Sequence, residues 1–300
     1  MVFSSNGTTL ATVGTGGSIY LWNLTTHSLA ATLTDPGDNG INAVAFSPDG
    51  RTLAAADENG NTYLWNTDTH ALVETIPYPR GPDQAFAMQD VIFSPDGATL
   101  VMIDQAGYTY LWNMATRSLT ATLTVTDMAA ANSPSITVAA FSPDGRALAT
   151  GADDGSTYLW NLATRTRSRT ITDPGREFVE DIAFSPNGRV LATSDIDGNA
   201  YLWNPATGTR TTTFANTTPF STVETDYAIN ALAFSPDSET LAVGNQIGSV
   251  FYLWDLATSK HAAAFHFPGS TAIHAVTFSP NGKILAVCDS FGRINLWQMN

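Results

Sequence analysis

The chain has 300 residues, a formal net charge of −14, two lysines against eleven arginines, and a single cysteine. That balance argues against nucleic acid and against an anionic membrane surface, since both need clustered cations, and it suits a neutral or cationic partner. The lone Cys288 excludes an intrachain disulfide and fits a reducing compartment; lying after Ile284-Leu285-Ala286-Val287, it reads as a small buried hydrophobe rather than a nucleophile.

In chain order, the start at Met1-Val2-Phe3-Ser4 has neither the charged nor the apolar region of a signal peptide. No apolar run reaches bilayer length, so a cytoplasmic location is expected. The first unit (residues 1–34) opens inside a strand at Val2-Phe3 and turns at Ser4-Ser5-Asn6-Gly7. The second (35–77) shows the pattern most clearly. Ile41-Asn42-Ala43-Val44-Ala45-Phe46 reads as a strand, followed by Ser47-Pro48-Asp49-Gly50, a turn in which Pro fixes φ and Asp-Gly takes the left-handed positions. Leu53-Ala54-Ala55-Ala56 is a short buried strand, and Asp57-Glu58-Asn59-Gly60 turns again. Thr62-Tyr63-Leu64-Trp65 has the β-branched and aromatic content of a third strand. Ala71 to Ile76 alternates as a fourth.

The first turn returns at Pro95-Asp96-Gly97, Pro143-Asp144-Gly145, Pro186-Asn187-Gly188, Pro236-Asp237-Ser238 and Pro280-Asn281-Gly282. These fall in units spanning residues 78–125, 126–172, 173–215, 216–266 and 267–300. Ser238 puts a Cβ where a left-handed backbone is wanted, so that turn is expected to be strained or of another type.

Trp recurs at 22, 65, 112, 160, 203, 254 and 297, at intervals of 43, 47, 48, 43, 51 and 43 residues, with Tyr two places earlier in all copies but the last, which has Asn295. A self-similar period of this length marks a repeat architecture. A unit of four short antiparallel strands cannot bury a core alone and makes one blade of a propeller. The expected fold is all-β: one domain, residues 1–300, a seven-bladed β-propeller of four-stranded antiparallel blades. The longer connections Pro77–Ala87, Thr126–Ser135 and Ala215–Ala228 are free to diversify.

The Phe-Ser-Pro-Asp-Gly turn, the small-residue second strand and the Leu-Trp-Asn/Asp ending resemble the WD-repeat β-propeller family, over the whole chain. The resemblance implies partner binding at the loop-bearing face. Among bacterial arrays it implies attachment to signalling kinases or STAND-type NTPases. Two features depart from the family. No Gly-His dipeptide occurs; Asp35-Pro36-Gly37 and Asp173-Pro174-Gly175 stand in its place. The family's turn Asp, six residues before Trp, survives only as Asp154 and Asp197; Gly16, Asn59, Ala106 and Phe291 occupy it elsewhere, and the sixth copy, with an extra residue, is out of register. The blades are therefore expected to rely on packing and turn chemistry more than on buried polar bonds.

In the resembled family a segment ahead of blade one supplies the outer strand of the last blade. Here the motif order gives 27 strands, a three-stranded last blade and an edge at Ile294–Trp297. The closing strand is expected from an upstream segment of a longer polypeptide or from another chain.

Catalytic, metal and cofactor sites are not expected. His261 and His266 lack Cys or carboxylate partners at ligand spacing, and Asp153-Asp154-Gly155 has too few ligands for a calcium loop. Gly14-Thr15-Gly16-Gly17 is followed by strands, not by a helix. The Tyr stripe reads as packing between blades, and Arg165, Arg167 and Arg169 as one solvated strand face.

One set of residues carries more. Four places before the first-strand Phe of the six complete copies stand Asn42, Gln89, Thr137, Glu180, Asn230 and His274, all polar and each preceded by an apolar residue. In a propeller the first strand lines the central channel, so these residues mark its mouth. Two readings stand: hydration of the wall, or recognition of a protein or peptide. Tyr78, Arg80, Phe86, Arg176, Phe178, Phe220 and Tyr227, in the connecting loops, are the aromatic and Arg material of binding hot spots. The expected function is a non-catalytic scaffold or sensor, with small-molecule or glycan binding at the channel mouth as the alternative.

Overall fold

The first turn is the smallest unit of order, and its side chains close it. In the computed structural model Gly50 N–H donates to the Ser47 carbonyl at 2.8 Å. Ser47 Oγ donates to Asp49 Oδ1 at 2.6 Å, Arg51 N–H reaches the same oxygen at 3.0 Å, and Thr52 N–H donates to Ser47 Oγ at 2.9 Å. Only Gly50 takes the left-handed backbone, at φ 70°. Asp49, expected there as well, does not, because its carboxylate caps the turn instead. The Ser47 hydroxyl and the Arg51 amide hold that carboxyl below its ordinary pKa. The turn at Ser238 is of the same type, with φ 64°. Its Cβ is tolerated, and its hydroxyl accepts a hydrogen bond from Asn187 N–H at 3.1 Å.

The structure describes residues 1–14, 16–37, 40–81, 86–125, 134–215, 228–246, 250–267 and 272–299. Among them 27 strands form seven antiparallel sheets, six of four strands and one of three. The fold is an all-β, seven-bladed propeller. Blade two is typical: β5 (Ile41–Phe46), β6 (Thr52–Asp57), β7 (Thr62–Asn66) and β8 (Leu72–Ile76), paired in that order. Blades one and three to six start on β1 (Val2–Phe3), β9 (Met88–Phe93), β13 (Ile136–Phe141), β17 (Val179–Phe184) and β21 (Ile229–Phe234). The last sheet is β25 (Ile273–Phe278), β26 (Ile284–Asp289) and β27 (Ile294–Gln298). Its Leu296 is 41% exposed, whereas the same leucine in blade two, Leu64, is 2% exposed beneath β8.

Packing divides the chain into two units, Met1–Ala139 and Ala140–Asn300. Within the first, β1 packs on β5 and β5 on β9; within the second, β17 packs on β21 and β21 on β25. Strand alternation decides which neighbour each side chain meets. Tyr63 and Trp65 turn back onto Ile19, Leu21 and Leu33 of blade one, while Leu64 turns forward onto Val91, Met102 and Tyr110 of blade three. Ala54, Ala55 and Ala56 are fully buried, and their small size lets blades approach closely. Tyr63, Tyr110, Tyr158, Tyr201 and Tyr252 are buried and Tyr20 is half-buried, which fits a packing role.

Two expectations fail. The blades do use buried polar bonds, with new partners. A carboxylate at the end of the second strand, eight residues before Trp, takes up the role. Tyr63 Oη donates to Asp57 at 3.0 Å, Tyr110 Oη to Asp104 at 2.8 Å and Tyr201 Oη to Asp195 at 2.9 Å. In blade seven Arg293 pairs with Asp289 at 2.6 Å. The second failure concerns the alternating arginines. The pairing shifts register after Leu159, so that Leu159 faces Arg169 and Trp160 faces Arg167. A bulge at Ser168 thus sends the two arginines to opposite faces. Arg167 lies over the Tyr158 ring at 5.4 Å, and Arg169 donates to the Ala206 carbonyl at 3.1 Å.

Candidate partner-binding face

The polar residues of the first strands share one backbone device. In blade two Ile41 pairs with Asp57 and Ala43 with Ala56, leaving Asn42 without an opposite residue. Gln89, Glu180, Asn230 and His274 hold the same unpaired place in their strands. A β-bulge bends the strand and re-aims the extra side chain out of the ladder. The buried residues before it (Ile41, Met88, Val179, Ile229, Ile273) fix the blade core. Thr137 occupies the equivalent sequence position and is half-buried.

Their surroundings differ. Asn42 and His274 are exposed, and Gln89, Glu180 and Asn230 are half-buried. Asn42 Nδ2 donates to the Met88 carbonyl at 2.9 Å, joining β5 to β9. Burial raises the Glu180 carboxyl above its ordinary pKa. Asn230 Oδ1 is buried with no partner among the described residues.

Beside the bulges lie two carboxylates that sequence reasoning did not single out as ties. Asp90 accepts Val91 N–H at 2.8 Å and Ala139 N–H at 3.1 Å. Asp181 accepts Ile182 N–H at 2.8 Å and Leu232 N–H at 2.7 Å. Each fastens its first strand to the next, and burial pushes the Asp90 carboxyl up to about 6 against the lowering effect of those amides. Their signal was an Asp three places before Phe, where the other first strands with that Phe carry Ala or Val.

Of the loop residues, Tyr78 is corrected. It is 5% exposed and donates to Asp104 at 2.6 Å, so it belongs to the core of blade three. Burial and that bond push its pKa up to about 12. Arg80 is exposed and stacks on Tyr108, 4.2 Å from the ring centre. Phe86 is 43% exposed. Arg176 is exposed on a left-handed backbone (φ 56°), and Phe178 is half-buried. Phe220 and Tyr227 lie outside the described residues. Ile196 and Phe291, 39% and 66% exposed on turns between second and third strands, were missed. An apolar residue in a tight turn was the available signal, and Phe291 stands where the family turn carries Asp. Arg293 lies 5.3 Å from its ring.

Among the described residues no cluster of His, Cys, Asp or Glu is placed to hold a metal ion. No helix among them is long and apolar enough to cross a membrane. Cys288 is half-buried, and burial raises its thiol pKa.

A blade with this hairpin order, repeated seven times, defines a WD40-type propeller. The family model for the WD domain, G-beta repeat, matches residues 28–66, 120–161, 166–204 and 263–298, just over half of the chain. The chain belongs to this family, whose propellers typically serve as protein-interaction scaffolds and are generally non-catalytic. Comparison with curated proteins finds no match. Among solved structures the chain is similar to the β-propeller domain of Cps50 (Swd1) from Myceliophteria thermophila. The TM-score is 0.84 at 17% identity, covering 100% of this chain and 96% of that one. At that identity the likeness shows the fold alone.

Proposed function

We propose that this propeller is a non-catalytic scaffold that takes a peptide or protein partner on the face where the first strands begin. One observation carries the reading: a bulge in each of five first strands turns a polar side chain out of the ladder at the same place. Hydration alone does not require a bulge, because an ordinary strand already alternates its side chains. Asn42, Gln89, Thr137, Glu180, Asn230 and His274 give hydrogen-bonding specificity. Arg80, Phe86, Arg176 and Phe178, with Ile196 and Phe291, give the aromatic, apolar and Arg contacts that dominate interface energies.

The test is selection of displayed peptides against the protein, followed by titration of the selected peptides against single variants. His274→Ala, Gln89→Ala, Phe86→Ala and Phe291→Ala should each leave the melting temperature unchanged. At least one of them should weaken binding about tenfold or more. Peptides that bind all four variants like the parent would sink the reading. Asp181 is unsuitable as a probe, because its loss would unfasten β17 from β21.

A further inference from the structure

The unit Ala140–Asn300 carries a second surface at the opposite end of its strands, on the turns joining first to second and third to fourth strands. Six of the eleven arginines belong to these turns and the outer strands of blades four and five: Arg146, Arg165, Arg167, Arg169, Arg189 and Arg210. All six are exposed. The one carboxylate on the same turns is Asp144, because Asn187 stands where four other first turns carry Asp. Asp144 is engaged in its own turn, accepting Ser142 Oγ at 2.6 Å and Arg146 N–H at 3.0 Å. A chain of net charge −14 thus carries a local excess of positive charge on these turns and strands, with Arg167 on the strand face opposite Arg169.

Among these turns lies a groove of about 390 Å³ between blades four and five. Leu159, Ala147 and Ser168 form one wall, Phe184, Pro186 and Pro205 the other, with Arg146 on the lining. The walls are fixed in position. Arg169 crosses from blade four to the Ala206 carbonyl, using one of its five N–H groups. Its stem lies where Gly208 has no side chain; a Cβ there would come within 2.5 Å of Arg169 Cδ. The first turns of the two blades also run side by side: a Cβ added at Gly188 would lie 3.7 Å from Pro143 Cδ.

We propose that this groove docks an acidic peptide segment of a partner protein, an apolar side chain seated between the walls and flanking carboxylates meeting Arg146 and Arg189. Charge complementarity chooses the occupant. A long polyanion such as duplex DNA meets the field of the whole acidic chain, whereas a short segment within about one Debye length, roughly 8–10 Å, meets the local arginines. The mixed apolar and cationic lining suits carboxylates beside a leucine or phenylalanine.

The experiment measures fluorescence anisotropy of a labelled peptide, Asp-Glu-Leu-Phe-Asp-Glu, with the intact chain, beside the same peptide with lysine at every acidic place. The acidic peptide should bind, and the lysine peptide should not. Arg146→Glu with Arg189→Glu should weaken binding about tenfold or more. Ala206→Trp, which fills the groove without changing charge, should do the same, both variants keeping the parent melting temperature. No binding by the acidic peptide overturns the proposal. So does binding that survives Ala206→Trp, since the charge then acts without the groove. Displacement by duplex DNA at equal concentration overturns it as well, because the patch would then be a general polyanion surface.

Discussion

Blades five and three are built on the same backbone and solve the same buried polar problem differently. In blade five, Trp203 Nε1 donates to Thr193 Oγ1 at 3.0 Å, and Thr193 donates to Asp173 at 3.1 Å. Asp195 beside them takes Tyr201 and the amide of Asn199. Blade three has Met102 where blade five has Thr193, and Trp112 Nε1 is buried without a partner among the described residues. It compensates around Asp104, which accepts two tyrosine hydroxyls, Tyr78 and Tyr110, and the amide of Tyr108 at 2.9 Å. The second-strand carboxylate accepts the N–H of the turn that follows in blades two, three, five and seven, whereas Gly14 and Ala152 hold that place in blades one and four, where Trp22 and Trp160 still donate to Thr12 and Thr150. The carboxylate and the Trp-to-Thr bond are thus separate devices, each present in a blade that lacks the other.

The largest effect expected from this difference is at the carboxylate itself. Asp104→Ala leaves the Tyr108 amide unpaired and the buried Tyr78 and Tyr110 hydroxyls with only their mutual bond of 3.3 Å, and urea unfolding should show a loss of about 3–5 kcal/mol. Thr193→Ala, removing only the chain from Trp203 to Asp173, should cost about 1–3 kcal/mol. Equal losses would mean that both networks matter alike and would break the distinction.

Asp173 gives the next effect, and it depends on pH. Burial, and then the charge of Asp195, push its carboxyl up to about 7, against the lowering effects of the Thr193 bond and Arg210. A carboxyl whose pKa is higher folded than unfolded binds its proton more tightly in the native state. Its contribution is complete below about pH 4, the unfolded value, and is lost as pH rises through 7. Asp173→Asn keeps an acceptor for Thr193 without the charge. The variant should gain on the order of 2 kcal/mol over the parent at pH 8 and nothing at pH 4. A difference that does not change with pH would show that Asp173 is not protonated in the fold.

The smallest effect tests whether the Trp-to-Thr bond can be transferred. Trp297 Nε1 of blade seven is also buried with no partner among the described residues, and Val287 stands ten residues before it, as Thr193 stands before Trp203. Val287→Thr should therefore be neutral or stabilise by up to about 1 kcal/mol in thermal unfolding. A loss typical of burying a lone hydroxyl would show that the register differs there.

Much of the fold was legible because a blade is a local object. The period of Trp, the Pro-Asp-Gly turns and the alternation of Thr62-Tyr63-Leu64-Trp65 each act over a few residues. The polar places at Asn42, Gln89, Glu180, Asn230 and His274 were legible for the same reason, but the bulge that re-aims them was not. A bulge is a mismatch between two strands, and neither strand shows it alone. Ser238 was legible as an exception, yet its partner Asn187 comes from the preceding blade.

By itself, then, the sequence determined the number of blades, the hairpin order within each and the identity of the turn residues, since backbone propensity and alternation are short-range. The tertiary structure alone decided which polar groups would meet. It brought Tyr78 from a connecting loop down onto Asp104, split Arg167 from Arg169, and gathered prolines of two blades around the groove that Leu159 lines. Those outcomes rest on register and on contact between blades, where a shift of one residue exchanges the two faces of a strand.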